Sequence, residues 1–166
     1  MSLRTGNPYT LYSDATWGTE GDKKSFNGWA VIRAGGVILW VAQRQRSTVL
    51  SFMEAEFISA SEASKEVAWL EKLNTDLKEE FPHPPTLYTD NMGAVELIHD
   101  NKFHKKAKHI DIRFNYIRSD MVEAGRLLVE HIPGVDQPAD ILTKQLPTER
   151  FQKHLRTLGI GEFHQI

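Results

Sequence analysis

Two short stretches of the chain end in the same way: "LYSDA" at Leu11–Ala15 and "LYTDN" at Leu87–Asn91. In each, an apolar residue, a tyrosine and a small hydroxyl residue lead to an aspartate, Asp14 or Asp90. A single aspartate after a strand-like run is commonly a turn former. Two of them side by side make different chemistry, because the carboxylates repel and one proton affinity climbs unless a cation neutralises the pair. Hard divalent cations such as Mg²⁺ and Mn²⁺ prefer oxygen ligands of this kind. A complete site asks for further acids, and the chain offers Glu54 and Glu56 in "MEAEF" and Asp136 and Asp140 in "DQPADILT". Each has a structural alternative. Glu54 follows Ser51 with the capping-box spacing S-x-x-E. Asp136 suits a helix N-cap, and Asp140 a first helical turn, where an acid complements the dipole.

Whether these acids converge depends on the elements that carry them. "PYTLYSDATWG" reads as a strand ending near Asp14. "SFNGWAVIRAGG" and "VILWVAQRQ", split at Gly35-Gly36, read as a hairpin. A long helix is predicted after Ser51, with an apolar stripe through Met53, Phe57, Ala60, Val67, Leu70, Leu73 and Leu77, and the prolines of "FPHPP" end it. "PTLYTDN" is a fourth strand, "MGAVELIHDN" a short helix, and "KKAKHIDIRFNYIRSDMVEAG" another helix with Ile110, Phe114, Ile117 and Met121 on one stripe. "RLLVEHIP" is a fifth strand, and two helices are expected after it, in "DQPADILTK" and "PTERFQKHLRTLGI". The order β-β-β-α-β-α(α)-β-α puts a helix between strands one and four. Such a crossover joins parallel strands. Paired directly, those strands would bring Asp14 and Asp90 together at one end, with strands ~4.8 Å apart.

Composition narrows the classes. The 166 residues are 40% hydrophobic and 25% charged, enough to build a core in a single α/β domain over 1–166, its centre about 9–160. The absence of cysteine excludes a disulfide scaffold, thiol catalysis and cysteine-ligated zinc. No pair of the seven histidines has H-x-x-x-H spacing, which argues against zinc. No run approaches the ~18 apolar residues of a membrane span, so no membrane partner is expected. With a net charge of −2, a nucleic acid would have to be met by a local basic patch. "NKFHKKAKH" is that patch: Lys108 and His109, with Arg113 one turn on, are the candidate phosphate contacts. Trp17, Trp29, Trp40 and Trp69 read as core or edge residues, and His131 as a packing residue within a strand.

In this order, "YSDA", "EAEFI", "YTDN", "KHIDIR" and "PADILTKQLP" resemble the ribonuclease H domain of copia-type LTR retrotransposon polyproteins, over about Tyr9 to Ile160. The resemblance implies a ribonuclease H-like fold: a five-stranded mixed sheet, three strands antiparallel and then parallel ones, with helices on both faces. It implies a catalytic, metal-binding quartet of Asp14, Glu54, Asp90 and Asp140, matching the first glutamate of "EAE". It also implies two Mg²⁺ ions, replaceable by Mn²⁺, and hydrolysis of the RNA strand of an RNA/DNA hybrid. Asn91 and Ser51 are the candidates for contact with the RNA 2′-hydroxyl. The implied partner is the polymerase domain of a reverse transcriptase in a parent polyprotein, the implied location a cytoplasmic virus-like particle or the nucleus, and no small-molecule cofactor is expected. Two other readings stand beside it. An integrase- or transposase-like nuclease core would take its third acid from a later helix, where Glu123 is the nearest fit, and a non-catalytic copy of the fold would only bind nucleic acid.

Overall fold

The computed structural model describes residues 9–17, 25–45, 49, 51–81, 84–100 and 108–161, with backbone only for 108–111. Strands β1 (Thr10–Thr16), β2 (Phe26–Arg33) and β3 (Gly36–Arg44) form an antiparallel meander. The β2–β3 turn is made by Ala34 and Gly35, both at positive φ (54° and 82°). That is the two-residue geometry whose twist matches the flanking strands. Helix α1 (Phe52–Asp76) then crosses over to β4 (Thr86–Thr89), which lies parallel to β1. After α2 (Met92–His99) and α3 (Lys108–Asn115), β5 (Leu128–His131) adds in parallel to β4. The finished sheet has the order β3-β2-β1-β4-β5. It is the five-stranded mixed sheet expected from the sequence.

Two features set the position of the acids. The first is register: Leu11 pairs with Leu87 and Tyr12 with Tyr88, so the two similar stretches lie abreast. The tyrosine rings stack at 5.5 Å, and each strand continues to its aspartate at the same end. The second is α1, which buries Ala55, Phe57, Ile58, Ala60, Ala63, Val67 and Leu70 in one core with Leu11, Val31 and Leu87 of the sheet. Side chains alternate across a strand, so Gly28 and Ala30 face the other way. There the sheet meets a 3₁₀ segment, Pro138–Leu142, followed by helix α4 (Thr148–Thr157).

The helices depart from expectation in three places. The stripe of α1 does not run on to Leu77, which is exposed; the buried position there is Asn74, which donates to the Tyr9 hydroxyl at 2.7 Å. The helix carrying Phe114, Ile117 and Met121 changes at Tyr116 from α to π winding, Tyr116–Glu123, before Gly125 at φ 70°. The segment after β5 is two short 3₁₀ turns, Gly134–Asp136 and Pro138–Leu142, rather than an α-helix. Asp136 is therefore not its N-cap. Gln137 caps instead, accepting from Ala139 N at 3.3 Å and donating to the Ser13 carbonyl at 3.0 Å. Those bonds tie the segment to β1.

The close approach of this segment to β2 requires glycine at 28. A Cβ there would stand 2.6 Å from Leu142 Cβ and 2.7 Å from Thr143 Cγ2. Gly28→Ala is expected to cost about 1–3 kcal/mol, as overpacking does, and to lower the thermal midpoint. A melting curve unchanged from wild type would contradict this packing.

Candidate metal centre

Asp14, Asp90 and Asp140 each offer a carboxylate oxygen, and the three oxygens lie within 4.8 Å of one another. Asp14 is brought by β1, Asp90 by the end of β4, and Asp140 by the 3₁₀ segment held against β1 through Gln137. Asp14 and Asp140 are fully buried and Asp90 is partly exposed. The backbone beneath Asp14 is pinned as well: its carbonyl accepts from Ser59 Oγ of α1 at 2.9 Å. Gly134 leaves room for Asp90, since a Cβ there would come within 3.0 Å of Asp90 Oδ2.

Of the two glutamates of "EAE", the structure turns Glu56 toward the strand ends that carry Asp14 and Asp90. Glu54 takes the capping position, its backbone N–H bonded to Ser51 Oγ at 3.1 Å. Two residues on, some 200° around the helix, Glu56 points under the ends of β1 and β4. Its Oε1 accepts from Ala15 N at 3.0 Å and its Oε2 from Thr89 Oγ1 at 3.4 Å. Glu56 stands outside the group of three, yet the charges of Asp14 and Asp90 both act on it. Phe57 and Ala60 mark the core face of α1, and Glu56 adjoins that face. The same periodicity that located the helix therefore carries the signal that separates the two glutamates.

Burial pushes the Asp14 carboxyl up to about 6, against bonding from Thr143 and the charge of Lys144, while Asp140 and Asp90 raise it further. Burial likewise pushes Glu56 up to about 9, reinforced by Asp14 and Asp90 and opposed by the Ala15 N–H. Asp90 is raised by burial first and by Asp140 second. Two cations from the C-terminal side offset this excess. Lys144 Nζ lies 2.7 Å from Asp140 Oδ1 and 3.7 Å from Asp14 Oδ2. Arg150 of α4 pairs with Asp140 Oδ2 and also donates to the Gly134 carbonyl. Burial alone would lower the Lys144 ammonium, but Asp140 and Asp14 outweigh it and raise it.

The donor set fits a hard divalent cation. The buried Oδ1 oxygens of Asp14 and Asp90 have no hydrogen-bond partner, and Asp140 Oδ1 meets the Lys144 ammonium at 2.7 Å. Unsatisfied buried acceptors are rare in folded chains. Carboxylate oxygens from three aspartates, gathered within 4.8 Å of one another, are what Mg²⁺ or Mn²⁺ would satisfy.

The remaining candidates fare differently. Asn91 caps α2, accepting from Ala94 N at 3.0 Å, and Ser51 caps α1; the starts of these helices are neighbours, since a Cβ on Gly93 would lie 3.2 Å from both Asn91 Oδ1 and Met53 Sδ. Asn91 directly follows Asp90 in the chain. Arg113 does not join the site. It pairs with Glu62 at 3.6 Å, six residues along α1 from Glu56 and thus ~9 Å farther up the helix. The side chains of Lys108 and His109, and the stretch 101–107, lie outside the described residues. His131 is not a packing residue: it is exposed at the end of β5, and its charge acts on Asp90. Trp29 is buried, whereas Trp17, Trp40 and Trp69 are exposed. Among the described residues, no helix is long and apolar enough to cross a membrane.

No protein-family model matches the chain. It is 39% identical over 161 residues to the retrovirus-related Pol polyprotein from transposon RE2 of Arabidopsis thaliana, covering 95% of the chain and 11% of the relative. It is 35% identical over 153 residues to that from transposon TNT 1-94 of Nicotiana tabacum, covering 90% of the chain and 11% of the relative. The chain thus spans about a ninth of the length of these polyproteins. Among solved structures it is similar to LC11-RNase H1 in complex with RNA/DNA hybrid, with TM-score 0.59, 16% identity, and coverage of 89% of this chain and 99% of the other. The solution structure of the PFV RNase H domain matches with TM-score 0.55, 16% identity, and coverage of 92% and 99%.

The raised carboxyls predict a pH dependence for the metal-free chain. Their folded values of about 6 (Asp14) and about 9 (Glu56) exceed the ordinary 3.8 and 4.5, so folding takes up protons. The associated stability is complete below the ordinary values and is lost as pH rises through the folded ones. In EDTA the melting temperature should therefore fall between about pH 4 and pH 9, and Mg²⁺ should flatten that slope. A melting temperature that rises across this window in EDTA would contradict the electrostatic description.

Proposed function

We propose that this chain, which belongs with the ribonuclease H-fold segment of the retrotransposon Pol polyproteins, is an endonuclease that cleaves the RNA strand of an RNA/DNA hybrid during reverse transcription. The observation that supports this most strongly is the gathering of carboxylate oxygens from Asp14, Asp90 and Asp140 within 4.8 Å of one another, at β1, the end of β4 and the 3₁₀ segment. The fold neighbour bound to an RNA/DNA hybrid supplies the substrate class.

Asp14, Asp90 and Asp140, with Glu56 completing the quartet, would hold two divalent cations. Bound there, Mg²⁺ or Mn²⁺ supplies the means to activate water and to stabilise a leaving 3′ oxygen in an in-line displacement at phosphorus. The residues' own work is positioning. The register of β1 on β4 fixes the Asp14–Asp90 separation. Arg150 and the Gln137 bridge fix Asp140 against that pair. Glu56 is locked by Ala15 N and Thr89 Oγ1, so its carboxylate is presented without a search through rotamers. Asn91 and Ser51, at the adjoining helix starts, would meet the minor-groove side of a hybrid, where the 2′-hydroxyl distinguishes RNA from DNA.

The test is incubation with an end-labelled RNA/DNA hybrid in Mg²⁺, Mn²⁺ or EDTA. Cleavage of the RNA strand is expected with either metal and none with EDTA. Glu56→Gln should lose on the order of a hundredfold or more in rate, the scale of a group worth several kcal/mol to a metal-assisted step. Glu54→Gln should stay near wild type. The reverse ranking would return the fourth position to Glu54. Metal uptake without any cleavage would leave a binding module rather than an enzyme.

A further inference from the structure

The cations beside the quartet are not equivalent. Arg150 is held from three sides, by Asp140 Oδ2, by the Gly134 carbonyl and by His154 Nε2 at 3.4 Å. His154 is itself fully buried, so α4 docks around this arginine. Lys144 is different. Among the described residues its ammonium pairs with the carboxylates of Asp140 and Asp14 alone, and its side chain is 37% exposed. Its backbone is fixed independently, by a bond from Lys144 N to the Asp140 carbonyl at 3.0 Å. The ammonium can therefore leave by rotation of its four-carbon stem with no change in the fold. Its location also matters: it sits at Asp140 Oδ1 and near Asp14 Oδ2, on two of the three carboxylates a divalent cation would take.

We infer that Lys144 is a built-in counter-cation that occupies the acidic cluster in the metal-free chain and is displaced by the incoming divalent ion. The inference rests on the metal-site reading above and assigns a role to a residue outside the quartet. At contact distance the ammonium repels a divalent ion and competes with it for the same carboxylates, so metal uptake includes the cost of displacing it. The chain gains a folded, charge-compensated state without metal, and lowers its metal affinity in exchange. Lys144 is a positioning residue in this scheme; it takes no part in bond breaking.

The experiment is Mn²⁺ titration by calorimetry into the 166-residue chain, together with thermal melting in EDTA and in saturating Mn²⁺. Lys144→Met keeps the stem and removes the charge. It should bind Mn²⁺ on the order of tenfold more tightly, the scale of one partly screened charge at contact distance. It should also melt below wild type in EDTA, and saturating Mn²⁺ should remove that deficit. Lys144→Arg, which keeps the charge, should match wild type in both measurements. Lys144→Gln provides a second neutral variant if the methionine form does not fold. Wild-type uptake with unchanged affinity in both neutral variants, and a melting deficit independent of metal, would overturn the counter-cation role while leaving the metal site standing. No uptake by wild type would overturn the metal site, and this inference with it.

Discussion

Repulsion among buried carboxylates is the constraint on which this structure turns. Parallel pairing of β1 with β4 forces Asp14 and Asp90 to the same place, and the 3₁₀ segment adds Asp140. Nothing in the sheet needs these charges; apolar residues there would pack with less cost. The surrounding structure is organised to hold them: Thr143 donates to Asp14, Lys144 and Arg150 pair with Asp140, and Ala15 N and Thr89 anchor Glu56. A site that gathers this much like charge is suited to a cation.

The division of labour follows from the two faces of the sheet. One face is ordinary core, where α1 covers Leu11, Val31 and Leu87. The other, at Gly28, admits the backbone of the segment that carries Asp140. The acids sit where the two faces meet, at the strand ends. They are rigidly mounted because each belongs to an element that is fixed by packing elsewhere. Stability supplied by the α1 core thus supports a locally unfavourable cluster.

Much of this was legible in the residues. The near-repeat of "LYSDA" and "LYTDN", with one intervening helix, dictated the pairing and the convergence of the two aspartates, because a parallel crossover leaves few alternatives. The hairpin was legible from Gly35-Gly36, although its turn falls one residue earlier, on Ala34 and Gly35, with Gly36 already in β3. The different placement of the two glutamates is also legible in helical periodicity: the capping spacing from Ser51 accounts for Glu54, and the position of Phe57 turns Glu56 toward the sheet. The 3₁₀ winding around Asp140 was not legible. It depends on bonds from Gln137 to a strand more than a hundred residues earlier, and local propensity carries no record of such contacts. The roles of Lys144 and Arg150 were hidden for the same reason, since a lysine in "ILTK" reads as solvated until the fold places it beside Asp14.

The most direct measurement is anomalous diffraction from crystals of the chain grown with Mn²⁺. Anomalous density enclosed by Asp14, Asp90 and Asp140, with Glu56 as a neighbour, is the predicted result. Density beside Glu54 and away from the three aspartates, or none at the strand ends at saturating Mn²⁺, would contradict it.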